Sequence, residues 1–488
     1  MNKGSFVFFL AVLFPILSIP ELVAAADTGV LSVKYRYAGR EQTLSDLKAH
    51  DDRRQLHILA GVDLPLGGSG RPDSVGLYYA KIGIGTPSKD YYVQVDTGSD
   101  KMWVNCIECQ DCPKSSTLGV DLTLYDINDS STGKYVSCDE QFCYEVNGGP
   151  LSSCEPNMTC PYDESYRDGS STRGYFVKDV LQYASVSGDL ETTSSNGSVM
   201  FGCSTLLSGD LSSSSDDALD GILGFGKSNT SLISQLAETG DVRRIFAHCL
   251  DSTSGGGIFA IGHVVQPQVN TTPLIPNQPH YNVNMTAVQV GAEFLNISMD
   301  AFDGGDGQGA IIDSGTTLAY LPELVYTPLL TKIFSQQPDL ELRILHDQYT
   351  CFQYSDSLDD SFPNVTLHFE NSVFLKVYPH EYLFSHQGMW CIGWQNSNKS
   401  KDTSNMTLLG DLVLSNKLVL YDLEHQAIGW TEYNCSSSIE VKDEKTGTVH
   451  LVGSHYIAAA ARNLTPQWII VFPLMLSITA LLFLELHN

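Results

Sequence analysis

The chain runs to 488 residues, 42% hydrophobic and 17% charged, which is enough to bury the cores of two domains. A formal charge of -28 at pH 7 excludes nucleic acid as a partner, because phosphate binding requires a basic surface. A surface so rich in carboxylates repels itself least in mildly acidic surroundings, which suits an acidic extracellular or vacuolar setting.

Lys3, the apolar run from Phe6 to Ile19 and the small residues Ala24-Ala25-Ala26 have the build of a secretory signal peptide over residues 1–26. Residues 27–73 differ in composition, with seven of the 28 Lys and Arg residues and no cysteine. Leu44 to Leu59 is compatible with a helix, and Gly67-Gly68-Ser69-Gly70-Arg71-Pro72 reads as a flexible joint. A segment whose seven basic residues balance its seven acidic ones, ahead of an acidic body, is expected to be a propeptide that covers a carboxylate-lined cleft, a disordered linker being the alternative.

A first domain is expected over 74–241. Alternating strings such as Tyr78-Tyr79-Ala80-Lys81-Ile82-Gly83-Ile84 point to a mostly β, all-β class with a few short helices. The apolar run Tyr91 to Val95 reads as a buried strand and ends in Asp96-Thr97-Gly98-Ser99, an Asp on a tight turn with its carboxylate pointing inward. Eight of the twelve cysteines follow: Cys106, Cys109, Cys112, Cys138, Cys143, Cys154, Cys160 and Cys203. The spacing of Cys106, Cys109 and Cys112 could hold zinc. The even count, the leader and the lack of a Cys/His pair at ligand spacing favour disulfides and no metal. Gly221 to Ser228 satisfies the phosphate-loop pattern G-x-x-x-x-G-K-[ST]. A secreted chain, a sequon at Asn229 and a counterpart at Leu408-Leu409-Gly410 without Lys-Ser argue against nucleotide binding.

A second domain is expected over 242–437. Ala310-Ile311-Ile312 leads into Asp313-Ser314-Gly315-Thr316, the same apolar, Asp, hydroxyl, Gly, hydroxyl string as in the first half. In each half an aliphatic pair and Gly follow, at Ile222-Leu223-Gly224 and Leu408-Leu409-Gly410, which suits a strand passing close to another backbone. Two such Asp turns in duplicated halves can set two carboxylates face to face across a pseudo-twofold axis. That is the arrangement of an acid–base pair that activates water.

Twelve Asn-x-Ser/Thr sequons agree with the secretory route. Asn128, Asn157, Asn196, Asn229, Asn270, Asn284, Asn296, Asn364, Asn398 and Asn405 are the expected glycan sites. Asn434, with Cys435 inside its sequon, and Asn463, followed by Pro466, are expected to escape. Residues 438–461 read as a juxtamembrane stalk. The polar spacer Arg462 to Gln467 and the apolar run Trp468 to Leu484 form a GPI-attachment signal over 462–488, with Ala458, Ala459 or Ala460 as the attachment site. No Lys or Arg follows the run, so an ordinary stop-transfer span is the poorer reading. The expected location is the extracellular face of the plasma membrane.

Taken together, these residues resemble the pepsin-like aspartic proteases, and within them the plant nepenthesin-like branch with a GPI tail, from Gly76 to Trp430. Asp96-Thr97-Gly98-Ser99 and Asp313-Ser314-Gly315-Thr316 match the two catalytic loops. Trp103 matches the aromatic that braces the flap, and Tyr166-Arg167-Asp168-Gly169-Ser170 is similar to the flap hairpin, with Tyr166 as its tyrosine. The aliphatic-Gly strings match the psi-shaped loops behind each Asp. The cysteine-dense stretch is similar to the insertion of the nepenthesin-like branch.

The resemblance implies a bilobal fold and an endopeptidase that hydrolyses an extended polypeptide with a water held by Asp96 and Asp313. It implies no cofactor, no metal and a monomer. By the same resemblance Thr97 and Ser314 tie the loops together, Ser99 and Thr316 bond the outer carboxyl oxygens, and Tyr166 closes over the substrate. Cys351–Cys391 and Cys249–Cys435 are the implied second-domain disulfides, and the other eight cysteines stay unassigned. Arg167 departs from the Gly often found there; it keeps the backbone N–H and adds charge to the tip. The competing class is a non-catalytic binding protein on the same fold. Such relatives have typically lost part of the Asp pair or the flap, and here all of these residues are present.

Overall fold

Runs of β-branched and aromatic residues build strands throughout, and the computed structural model describes residues 61–68 and 78–457 apart from 156, 213–216, 241, 303–308, 347–348, 400–404 and 445. The signal peptide, residues 27–60 and the GPI-attachment signal with Ala458, Ala459 and Ala460 lie outside the described residues. Among those described, no helix is long and apolar enough to cross a membrane. The longest helix among the described residues is Glu323–Phe334, 12 residues.

One mixed sheet threads both halves. Its first-lobe part takes, in order, Leu66–Gly68, Tyr78–Ile84, Lys89–Asp96, Gly221–Gly224, Trp103–Gln110, Glu191–Ser208 and Ser171–Gly188. Val62–Asp63 then links Ser171–Gly188 to the second-lobe strands Gly256–Ile261, Ile245–Asp251, Lys417–Asp422, Ala427–Glu432 and Thr271–Pro273. Smaller sheets complete the second lobe, including Asn282–Val283, Ala310–Ile312, Thr407–Leu409, Ala319–Leu321 and Trp394–Asn396 in that order. A single hydrophobic cluster runs from Val62 to Trp430 through both lobes.

The duplication is visible in the strand pairing. Lys89–Asp96 lies parallel to Gly221–Gly224, with Val95 opposite Leu223 and Asp96 opposite Gly224. Ala310–Ile312 lies parallel to Thr407–Leu409, with Ile312 opposite Leu409. In each lobe the middle strand also pairs antiparallel with the strand that follows the Asp turn. The following glycines are required by close approach: a Cβ on Gly224 would sit 2.6 Å from Lys101 O, and one on Gly410 2.2 Å from Thr316 O.

All twelve cysteines are paired. Cys249–Cys435 and Cys351–Cys391 are bonded, and the remaining eight form Cys106–Cys203, Cys109–Cys112, Cys138–Cys154 and Cys143–Cys160. The zinc alternative for Cys106, Cys109 and Cys112 is therefore excluded, because their thiols are consumed. The bridges Cys138–Cys154 and Cys143–Cys160 span 16 and 17 residues and border a second hydrophobic cluster beneath the flap. Each loop closure of that size stabilises by about 3 kcal/mol.

Two segments read differently from the sequence are part of this body. Gly67 and Gly68, read as the start of a flexible joint, lie in a strand opposite Tyr79 and Tyr78. A Cβ on Gly67 would fall 2.7 Å from the Tyr79 ring, so the glycine serves packing rather than flexibility. Of the segment read as a stalk, Ser438–Lys442 and Val449–Gly453 form a hairpin on His263–Gln266. It buries Ile439, Val441 and Val452 with Val186 and Val264. His455 Nε2 then meets both carboxylate oxygens of Asp63 at 2.8 Å, and Ile457 N donates to Leu66 O at 3.0 Å. Residues 61–68 and 438–457 thus hold each other against the sheet.

Candidate active site

Two strands from opposite lobes end at one place. Lys89–Asp96 delivers Asp96 and Ala310–Ile312 delivers Asp313, 6% and 7% exposed. Gly98 N donates to Asp96 Oδ1 at 2.8 Å, and Ser99 Oγ to Asp96 Oδ2 at 2.5 Å. In the other lobe Gly315 N donates to Asp313 Oδ1 at 2.7 Å, and Thr316 Oγ1 to Asp313 Oδ2 at 2.7 Å. The half-sites repeat bond for bond.

The two turns also interlock. A Cβ on Gly98 would lie 2.6 Å from the Asp313 carboxyl, and one on Gly315 2.0 Å from Asp96 Oδ1. Each loop's glycine makes room for the other loop's carboxyl. Ser314 N donates to Thr97 Oγ1 at 2.9 Å. The tie is one-sided, since Ser314 Oγ is buried without a hydrogen-bond partner.

Burial, and then the charge of Asp313, push the Asp96 carboxyl up to about 7 against the opposing bonds from Ser99 and Gly98. Two carboxyls in such contact share one proton over a broad acid range. Behind them stands a third carboxyl. Asp411 N donates to Thr316 O at 2.8 Å, and its side chain is 3% exposed. Burial, then the charges of Asp313 and Asp96, raise the Asp411 carboxyl well above its ordinary value, which disfavours its ionised form.

Thr97 is supported from the rear by a side-chain hydrogen bond with Tyr421, whose hydroxyl lies 3.0 Å from His248 Nε2. Burial pushes His248 down to about 3, so this backing stays neutral while the Asp pair holds its proton. His248 and Tyr421 carry no sequence signal beyond that of ordinary strand residues. Asp411 had one, its place after Leu408-Leu409-Gly410, although its chemistry was not legible there.

The flap turns between Pro161–Ser165 and Ser171–Gly188. Tyr166 N donates to Ser170 O at 2.8 Å, and Asp168 Oδ1 accepts from Ser170 N at 2.8 Å. Gly169 takes the left-handed φ of 87°, which a glycine adopts without cost. Trp103 Nε1 donates to Tyr166 OH at 2.7 Å. Burial, then the charge of Asp96, raise the Tyr166 phenol, so it stays protonated above the pair.

The phosphate-loop string is used internally. Gly226 N donates to Ser99 O at 2.8 Å, Ser228 N to Asp100 Oδ1 at 2.9 Å, and Lys227 Nζ to Gln278 O at 3.2 Å. Amides that would cradle a phosphate instead brace the Asp96 turn. Of the ten expected glycan sites, Asn128, Asn157, Asn196, Asn229, Asn270, Asn296, Asn398 and Asn405 are exposed. Asn284 and Asn364 are half-buried, and Asn284 Nδ2 is committed to Glu370 Oε1 at 2.9 Å.

The chain matches the domain family described as xylanase inhibitor N-terminal over residues 78–263 and that described as xylanase inhibitor C-terminal over 280–432. Aspartic proteinase 36 of Arabidopsis thaliana is 48% identical over 435 residues, 88% of this chain and 89% of its own. Aspartic proteinase 39 of the same plant is 47% identical over 442 residues, 90% of this chain and 91% of its own. Among solved structures, conglutin gamma, a basic 7S globulin from lupine seeds, superposes with a TM-score of 0.60 over 77% of this chain and 96% of its own, at 19% identity. That likeness is one of fold.

Proposed function

The chain belongs to the plant family of pepsin-like aspartic proteases, and we propose that it is an active endopeptidase that hydrolyses polypeptides at acidic pH. The observation that carries this reading is the interlocked, bond-for-bond duplication of the Asp96 and Asp313 turns.

The pair holds one proton and one negative charge. The ionised carboxyl takes a proton from water as its oxygen attacks the peptide carbonyl carbon. The protonated carboxyl meanwhile donates to the carbonyl oxygen, which becomes the hydroxyl of a tetrahedral diol. The carboxyl that took the water proton then gives it to the amide nitrogen while the other, now ionised, takes a proton from the diol, so the C–N bond breaks and the two peptides leave. The donors Gly98, Ser99, Gly315 and Thr316 fix both carboxyls in place, so little reorganisation accompanies the transfer. Tyr166, held by Trp103, closes the cleft from water.

The substrate is an extended polypeptide with apolar side chains at the cut bond. The enzyme acts at the extracellular face of the plasma membrane, tethered by a GPI anchor near Ala458, Ala459 or Ala460. Release from membranes by a phosphatidylinositol-specific phospholipase tests the tether, and retention after treatment overturns it.

For the activity, the full chain from a eukaryotic secretory host is incubated with a denatured protein at about pH 4, where such pairs are half-protonated. Cleavage blocked by pepstatin and lost in Asp96→Asn is the expected result. The matched domain families, described as xylanase inhibitor, favour one second reading, a non-catalytic binding protein. Absence of pepstatin-sensitive cleavage would overturn the peptidase reading.

A further inference from the structure

The residue that departs from the family's flap makes a contact across the cleft. Arg167 follows Tyr166 at the exposed tip of the first-lobe flap, and its guanidinium lies 3.3 Å from Nε2 of His280 in the second lobe. The same guanidinium meets Met406 Sδ, also in the second lobe. His280 in turn sits against the catalytic turns: the Gly98 backbone hydrogen-bonds its ring, and the charges of Asp313 and Asp100 reach it. The bridge therefore runs from the flap tip to the floor beside the Asp pair.

A guanidinium has only donors, so its bond to His280 needs a neutral ring with a lone pair on Nε2. Protonation removes that acceptor and sets two cations side by side in a partly dry site. The groups facing the ring are accounted for by name. Burial and Arg167 disfavour the imidazolium, whereas Asp313, Asp100 and the Gly98 backbone favour it. Lys101 and Lys227 act on Asp100, which faces the ring. Lys101 is itself paired with flap-strand Glu164 at 2.5 Å, and Lys227 Nζ donates to Gln278 O, two residues before His280.

We propose that Arg167 and His280 form a proton-released latch across the cleft, closed while His280 is neutral and opened when it takes up a proton. The latch deepens the peptidase reading and rests on it for its purpose: substrate entry is withheld at neutral pH and allowed where the Asp pair works. Arg167 is thus a positioning residue for the flap.

Amide hydrogen exchange of residues 162–172 tests the latch in the full-length protein between about pH 7 and pH 4.5, after correction for intrinsic exchange. In the native sequence, flap protection falls about tenfold on acidification. Arg167→Gly gives low protection at both pH values. His280→Gln, which keeps a non-titrating acceptor, retains protection at the acid end. Unchanged protection in Ile245–Asp251 reports that each variant is folded. Flap protection independent of pH in the native sequence, or lost by His280→Gln in acid as in the native sequence, overturns the latch. Exchange needs no turnover, so it decides the latch even for a chain that cleaves nothing. In a cleaving enzyme, KM for a peptide rises several-fold toward neutral pH and becomes flat in Arg167→Gly.

Discussion

The peptide nitrogen of Ser314 donates to the hydroxyl oxygen of Thr97 at 2.9 Å, and this bond ties the turn that carries Asp313 to the turn that carries Asp96. Both residues are buried, and Ser314 Oγ offers nothing in return. Among the described residues the tie has no mirror-image bond from Ser314 Oγ, and the other link between these loops is the longer one from Gln94 Nε2 to Gly315 O at 3.4 Å. Thr97→Val keeps the shape and leaves a buried N–H unpaired, at a cost of about 1–3 kcal/mol. Thermal unfolding should show that loss, with kcat down roughly 10- to 100-fold through misplaced carboxyls. Thr97→Ser should restore both.

The flap depends on a bond of comparable size, Trp103 Nε1 to Tyr166 OH at 2.7 Å. Trp103→Phe and Tyr166→Phe should each lower kcat/KM roughly 3- to 10-fold, mainly through KM. The double variant should be little worse than either, a coupling of about 1 kcal/mol in a double-mutant cycle. Additive losses would mean that the bond does not position the flap.

Buried carboxyls set the direction of the pH dependence of stability. Burial pushes Asp220, like Asp96, up to about 7, and Asp411 is raised as well. Unfolded, all three would titrate near about 3.9. Between about pH 4 and pH 7 the folded chain keeps protons that the unfolded chain has lost, so stability falls as pH rises through that window. His248, held down to about 3, acts the other way, costing stability as pH falls below about 6.5. Asp100 is raised too, and His280 and His368 are lowered like His248, so four acids stand against three bases; the two carboxyls pushed up to about 7 and the raised Asp411 carry the balance. The midpoint of thermal unfolding should be several degrees higher at about pH 5 than at about pH 8.

Local patterns were legible in the sequence, and long-range packing was not. The Asp turns, Gly224 and Gly410 could be read because a strand, its turn and a close approach leave their mark within five residues. Trp103 and Tyr166 were legible through resemblance alone, being 63 residues apart. His248 and Tyr421, 173 residues apart, look like core strand residues until the sheet brings them behind Thr97. The hairpin over 438–453 has the alternation of a strand in Ile439 and Val441, but so short a run between polar residues reads as a stalk. Gly67 was misread for a related reason: glycine marks both flexible joints and tight packing, and the Tyr79 ring decides between them only in three dimensions.

The hairpin supplies its own test. Ile439, Val441 and Val452 are each 1% exposed, and burying a side chain of this kind is worth about 1.5–3 kcal/mol. A chain ended at Ser437 loses all three and leaves Asp63 without His455. It should be secreted poorly and unfold at least several degrees lower than the full chain. Equal yield and equal unfolding would show that this segment is a stalk after all.

The central claim is that Asp96 and Asp313 act on water as one unit. Its most direct test compares cleavage of one peptide by the native sequence, Asp96→Asn, Asp313→Asn and the double variant at the acid optimum. Each single substitution should lower kcat by about 10³-fold or more, and the double variant should fall no further, because half a pair is already no pair. A single variant that keeps activity within about tenfold of the native sequence would contradict the account.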